Sequence, residues 1–387
     1  MRVPTQPRLN ADGTPRLSPE HRCWCGSGRK FKRCHMNRHR QSPLPLSELK
    51  EKTEIGATRL CMHADAPAGC GKTIVDAHSL QRRGILSSIA RDGEVYGIDM
   101  NIIDLLREGD FRDRPIRIRS ASTFSGFCNI HDSDTFRAIE TAPFTASADQ
   151  CFLFGYRALC MELYKKKCTL LWIPQVLDYL DRGRSFVEQH RIQRYFSDFA
   201  FGVHAGARDL TQQKALYDEV LRRRAFSEYQ AYVIEFGEAP ELVATGACQP
   251  EFDFDGQILA NLDYTDRILN FVTYSLIPVG SGGAFVLGWM ANDEPTDALV
   301  RSFEQLPDSD VPHAVVRFVC EHCENTYFSP QWWEALADSD RKAIARRTAG
   351  DPGEREADCL ADDGIRAVRW TVKRRARLSS HDGGGSQ

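Results

Sequence analysis

Cys23-Trp24-Cys25-Gly26-Ser27-Gly28-Arg29-Lys30-Phe31-Lys32-Arg33-Cys34-His35 places four metal-ligating side chains within thirteen residues. Two cysteines one residue apart are followed, after eight more, by a Cys-His pair. Thiolate and imidazole are what tetrahedral zinc takes, and four protein ligands close the shell as in structural sites. Trp24 and Phe31 are the segment's only large apolar residues, so apolar burial alone cannot fold it. Metal ligation supplies the missing free energy, roughly 10–16 kcal/mol in small zinc modules. Gly26 and Gly28 permit the backbone of a tight thiolate turn, and Ser27 can cap it. The segment reads as a zinc knuckle with Cys23, Cys25, Cys34 and His35 as ligands. Because these ligands are contiguous and the stiff Ser42-Pro43-Leu44-Pro45 linker follows, the knuckle is expected to fold apart from the rest of the chain.

The same residues resemble the SEC-C motif, familiar from the C-terminal tail of the bacterial preprotein translocase motor SecA. The resemblance covers residues 21–40 and implies zinc on the same four side chains. In that family the motif is a docking element for a chaperone. Here it is N-terminal, Trp24 stands where proline is usual, and 387 residues are too few for that motor. The resemblance implies zinc and an interaction role, not protein translocation.

A length of 387 residues suits two or three domains with an ordinary apolar core. A formal net charge of -3 argues against a globally basic nucleic-acid binder but not against local basic patches. Without a charged-then-apolar leader or a run of about 18 apolar residues, the sequence reads as cytoplasmic, with no membrane partner. Thirteen cysteines outside any small secreted scaffold suggest metal ligands and buried thiols rather than disulfides.

Residues 1–20 are polar and proline-rich and read as a flexible tail. From His21 to Arg40 the chain is strongly basic, with no acid. Part of that charge offsets a three-thiolate zinc centre; the remainder suits a protein partner or nucleic acid.

Residues 57–145 form a Cys/His-rich αβ module. It has strand-like Ile74-Val75 before Asp76-Ala77-His78, a helical pattern from Leu80 to Ala90, and strand candidates at 94–98 and 116–120. A helix follows from Asp132. Cys61, Cys70, Cys128 and His131 are candidates for a second zinc site that clips two loops, with His78 outside it. The alternative is a metal-dependent, HNH-like nuclease centred on the same residues. In it His78 is general base or metal ligand, with Asp76, His131 or Asp132 nearby, although Ala77 separates Asp76 from His78 and the downstream part of that pattern is not recognisable. If the chain is an enzyme at all, this is the activity expected. Ala66–Thr73 ends like a phosphate-binding loop, but Ala66 occupies the position where that motif needs glycine.

Residues 146–231 read as helical, with Cys160 and Cys168 as core thiols. Residues 232–349 read as α+β: strand-like 232–236, 242–244, 271–278 and 284–289, then helices at 297–305, 312–323, 330–337 and 340–348. Cys320-Glu321-His322-Cys323 has no second cysteine pair beside it and reads as buried thiols. Residues 350–387, with basic Lys373-Arg374-Arg375-Arg377 and Gly383-Gly384-Gly385, read as a flexible tail. The fold class expected is α+β, and the function a zinc-binding interaction protein.

Overall fold

A computed structural model describes residues 3–53, 58–99, 112–262, 267–350 and 355–378. Residue 57, the interior stretch 100–111 of the Cys/His-rich module and the Gly383-Gly384-Gly385 end lie outside the described residues. The strands are β1 (Ile74–His78), β2 (Glu94–Asp99), β3 (Arg112–Arg117), β4 (Thr123–Cys128), β5 (Tyr229–Phe236), β6 (Leu242–Cys248), β7 (Val272–Val279), β8 (Gly282–Met290), β9 (Thr326–Phe328) and β10 (Val372–Leu378). The principal helices are α1 (Leu46–Thr53), α2 (Asn129–Glu140), α3 (Ala148–Leu177), α4 (Phe186–Arg223), α5 (Glu294–Gln305), α6 (Val311–His322), α7 (Pro330–Ala335) and α8 (Asp338–Thr348). The fold is α+β, and the sheets are antiparallel. No described helix is long and apolar enough to cross a membrane.

The chain divides into two compact units, Met1–Thr58 with Lys165–Arg208, and Arg59–Tyr164 with Asp209–Gln387. The partition passes through both long helices, α3 and α4.

The second unit is built on a sheet of order β10-β5-β8-β7-β6-β9-β2-β3. Its central strands are nearly continuous apolar runs because both faces are covered. On one face Phe285, Leu287 and Leu276 meet Leu299, Val300 and Phe303 of α5 and Val315 and Phe318 of α6. On the other, Val243, Ile277 and Ala284 pack against Leu80, Leu86, Ile89 and Phe154. A separate ribbon, β1 against β4, runs straight into α2.

Several expectations are corrected. Leu80, Ile85, Leu86 and Ile89 are buried as their spacing suggests, but no continuous helix spans 80–90. Arg83 is extended and Gly84 has φ 104°, a left-handed conformation open to glycine, so only a short helical turn forms at 87–89. The strand expected at 116–120 is displaced: β3 ends at Arg117 and β4 begins at Thr123, with Ser122 in a turn at φ 58°.

Both stretches expected to be loose are tied down in part. In residues 1–20, Leu9 bridges Pro15 and Thr5 N–H donates to Trp24 O at 2.8 Å. In residues 350–387, β10 pairs with β5 along its length. Its arginines neutralise acids: Arg377 meets Glu304 and Asp297 (2.7 and 3.3 Å), and Arg374 meets Glu235 (3.3 Å).

Candidate metal centres

The first centre lies wholly in the first unit. Arg22 bridges Lys30 and Cys23 N–H donates to Arg29 O at 2.8 Å, folding the chain back on itself. Gly26 and Gly28 supply the positive φ values of this turn, 78° and 77°. The fold-back sets Cys25 Sγ 3.6 Å from Cys34 Sγ, and His35 Nδ1 3.1 Å from Cys34 Sγ and 3.3 Å from Cys23 Sγ. All four ligand atoms lie within 4.8 Å of one another. Ser27 Oγ stands 3.1 Å from Cys25 Sγ, where its hydroxyl can donate to a thiolate.

Hydrogen bonding with Cys23 holds Cys25 and Cys34 below the usual thiol range, and the same contacts push Cys23 well above it. Sulfurs this close carry ionised charge together only with a cation among them. The donor set and its spacing therefore fit a metal ion.

With Nδ1 facing the sulfurs, His35 Nε2–H points the other way and donates to Asp181 Oδ2 at 2.9 Å. Asp181 is fully buried in the loop between α3 and α4. Its other oxygen accepts from Arg38 Nε, while Gln193 Nε2 donates to Oδ2 at 2.8 Å. Arg38 also donates to Leu177 O. Burial alone would raise the Asp181 carboxyl, but His35 and Arg38 outweigh it and hold it low. Burial likewise opposes charge on His35, and the bond to Asp181 with the nearby thiols reverses this, raising the imidazole to about 10 in the absence of a metal. A carboxylate behind a ligating histidine fixes its tautomer and orientation.

Trp24, 2% exposed, packs its ring 4.6 Å from His35, 5.2 Å from Phe186 and 5.7 Å from His190. The knuckle was expected to fold apart; instead its core continues into that of α4, and Gly183 N–H donates to Arg38 O at 3.0 Å. Asp181 and Gln193 carried no signal in the sequence. Asp181 sits 146 positions from His35, in a polar break between two helices.

The second centre lies wholly in the second unit. Residues 60–62 run beside β4, with Leu60 N–H and Met62 N–H donating to Ser125 O and Gly126 O. Asn129 N–H donates to Thr73 O at 2.9 Å, closing the other side of the loop. Cys61, Cys70, Cys128 and His131 are thereby gathered with their ligand atoms within 4.8 Å of one another. His131 Nδ1 is 3.4 Å from Cys61 Sγ and 3.6 Å from Cys70 Sγ. Cys128 caps the N-terminus of α2, and its sulfur accepts from His131 N–H (3.4 Å) and Gly71 N–H (3.2 Å). Burial would raise the Cys128 thiol, but these N–H donors outweigh it and lower it. Gly71 has no side chain because a Cβ there would fall 2.2 Å from Asn129 Oδ1. His63 stacks on His131 at 3.9 Å, and burial with that neighbour pushes it down to about 4.

The weak catalytic candidates do not converge on this centre. Ile74 pairs with Cys128 at one end of the β1–β4 ribbon, and His78 pairs with Thr123 at the other. These ends are four residue steps apart along β1, about 13 Å. His78 Nε2 lies 3.3 Å from Ile118 O, and burial lowers its imidazole. Asp76 accepts from Ser125 Oγ at 2.7 Å and Arg59 at 3.2 Å, while Asp132 meets Arg157 at 3.4 Å. His131 belongs to the thiol cluster.

Of the remaining cysteines, Cys151, Cys160, Cys248, Cys320 and Cys323 are buried, whereas Cys168, expected in the core, and Cys359 are only partly buried. Burial pushes Cys160 and Cys320 up to about 12, and Cys323 Sγ donates to Thr245 O at 3.3 Å.

Comparison with protein families matches the SEC-C motif at residues 22–37, a short segment of the chain that contains all four ligands of the first centre. Neither the curated proteins nor the solved structures gave a match.

Proposed function

We propose that the protein holds one zinc ion at each centre, both structural, and that the knuckle-bearing unit docks a macromolecular partner. The observation that carries this reading is the convergence of two Cys3His sets, each with four protein ligands and so with no position required for water. A closed shell of this kind stabilises loops and does not activate a nucleophile. Asp181 behind His35 and the N–H donors on Cys128 are the outer contacts that such sites use to orient ligands. Titrating purified protein with a strong chelator, with circular dichroism and melting followed together, tests it. Metal loss with loss of cooperative melting supports structural centres; metal loss with an unchanged melt contradicts them.

The alternative, a metal-dependent HNH-like nuclease, draws on the order β1–β4–α2, two antiparallel strands followed by a helix beside a metal-ligating cluster. Cleavage of nucleic acid with added divalent metal, abolished by His78→Ala with the fold intact, would establish it in place of the structural reading.

A further inference from the structure

The near-neutral total charge conceals a strong partition. The first unit carries 20 Lys and Arg against 9 Asp and Glu, a net of +11, while the second carries 30 against 44, a net of -14. Arg22, Arg29, Lys30, Lys32, Arg33 and Arg40 are exposed on and beside the knuckle. Lys167, Arg184, Arg191 and Arg194 are exposed on α3, α4 and the loop between them. A field of one sign on one unit is the electrostatic footprint of a polyanion site.

The same unit also exposes aromatic rings, Tyr195 among them standing edge-to-face with the buried Phe196. Along α4, Tyr195 is 51% exposed, Phe199 39% and Phe201 61%. Tyr195 and Phe199 lie parallel, with an interplanar angle of 8° and centroids 6.4 Å apart. Arg191, Tyr195 and Phe199 follow one another at four-residue steps and share a helix face. A cleft of about 450 Å³ also opens between Ser27 and Arg29 of the knuckle and Pro174, Ala200 and His204 of the helices. Cations that follow a phosphate backbone, beside aromatic faces on which bases stack, are what single-stranded nucleic acid requires. An acidic protein face would account for the arginines, and the parallel rings of Tyr195 and Phe199 add flat faces on which bases can stack.

We propose that the first unit binds single-stranded nucleic acid, with phosphates on its exposed Lys and Arg side chains and unstacked bases on Tyr195 and Phe199. This rests on the docking role above and names the partner class. The test uses the full-length, metal-loaded chain and a fluorescent oligothymidylate of about 20 nucleotides. Anisotropy is read across salt from about 50 to 300 mM.

The expected result is binding whose log affinity falls linearly with log salt. Arg191→Gln with Arg194→Gln should make that slope shallower by about 1.4, from about 0.7 per phosphate contact. Tyr195→Ala with Phe199→Ala should weaken binding by roughly 5- to 150-fold per base unstacked, with the slope unchanged. All four side chains are on the surface, so the variants should melt as the parent does, and their metal content is measured alongside. No binding by protein that holds its metal overturns the proposal and leaves the metal centres standing; binding by metal-poor protein does the reverse. The proposal is also overturned if duplex DNA binds equally well and the aromatic variants change nothing. Equal competition by polyglutamate, or salt-dependent self-association in place of binding, overturns it too.

Discussion

His35 Nε2 and Asp181 Oδ2, 146 positions apart in the chain, are joined by a 2.9 Å hydrogen bond inside the first unit. The bond makes the knuckle a part of that unit's core, because the same carboxylate holds Arg38 and Gln193. Asp181→Asn keeps the shape and removes the charge, leaving the Arg38 guanidinium buried without its counterion. Breaking such a pair costs about 3–5 kcal/mol, and losing the carboxylate behind a ligating histidine costs roughly 10- to 100-fold in metal affinity. Thermal melting and competitive chelation of the variant read the two losses. An unchanged melt would restore the expectation of an independent knuckle.

Trp24 provides a second attachment. Its ring is buried against Phe186 and His190, so Trp24→Ala should destabilise the protein by about 3–5 kcal/mol. Trp24→Pro restores the residue usual in SEC-C motifs and should be no better, because the aromatic contact is lost either way. Urea unfolding followed by circular dichroism measures both; a cost below about 1 kcal/mol would show that the ring anchors nothing.

His322 predicts an acid sensitivity of the second unit. Both ring nitrogens are buried with no hydrogen-bond partner among the described residues, and burial holds the imidazole well below its usual range. The folded state keeps this ring neutral, whereas the unfolded chain takes up a proton at the ordinary histidine value. Its contribution is therefore complete above about pH 6.5 and declines as pH falls, by about 1.4 kcal/mol per pH unit until the folded value is reached. His322→Phe should flatten the stability profile between about pH 6.5 and 5. A profile with the same slope would show that the ring does not carry it.

The second centre separates a structural cysteine from a peripheral histidine. Cys128→Ser should remove one equivalent of metal and destabilise the loop that Gly71 N–H and His131 N–H tie to that sulfur. His78→Ala should retain both metals and cost about 1 kcal/mol, the worth of its contact with Ile118 O. Metal analysis and melting of the two variants check this, and equal metal loss in both would place His78 in the centre.

Local signals were legible and distant ones were not. The four knuckle residues are close in sequence, and their spacing alone pointed to the cluster they form. The runs that became β5 to β8 show as long apolar stretches because both faces of that sheet are covered. Leu80 to Ala90 carried the right apolar spacing, yet Gly84 outweighed periodicity by adopting φ 104°. The basic run at 373–377 resembled a solvated tail because its acidic partners, Glu304 and Asp297, lie on a distant helix. Asp181 looked like any loop acid, and only the folded chain brings it to His35. The opposed charges of the two units were hidden for the same reason, since the first unit is assembled from two separate stretches.

Elemental analysis of the purified chain decides whether the two Cys3His centres hold zinc. The protein should carry two equivalents of zinc per chain, one lost in Cys23→Ser with Cys25→Ser and the other in Cys61→Ser with Cys70→Ser. Fewer than two equivalents in the parent, a metal other than zinc, or Cys→Ser variants that keep their full complement would contradict it.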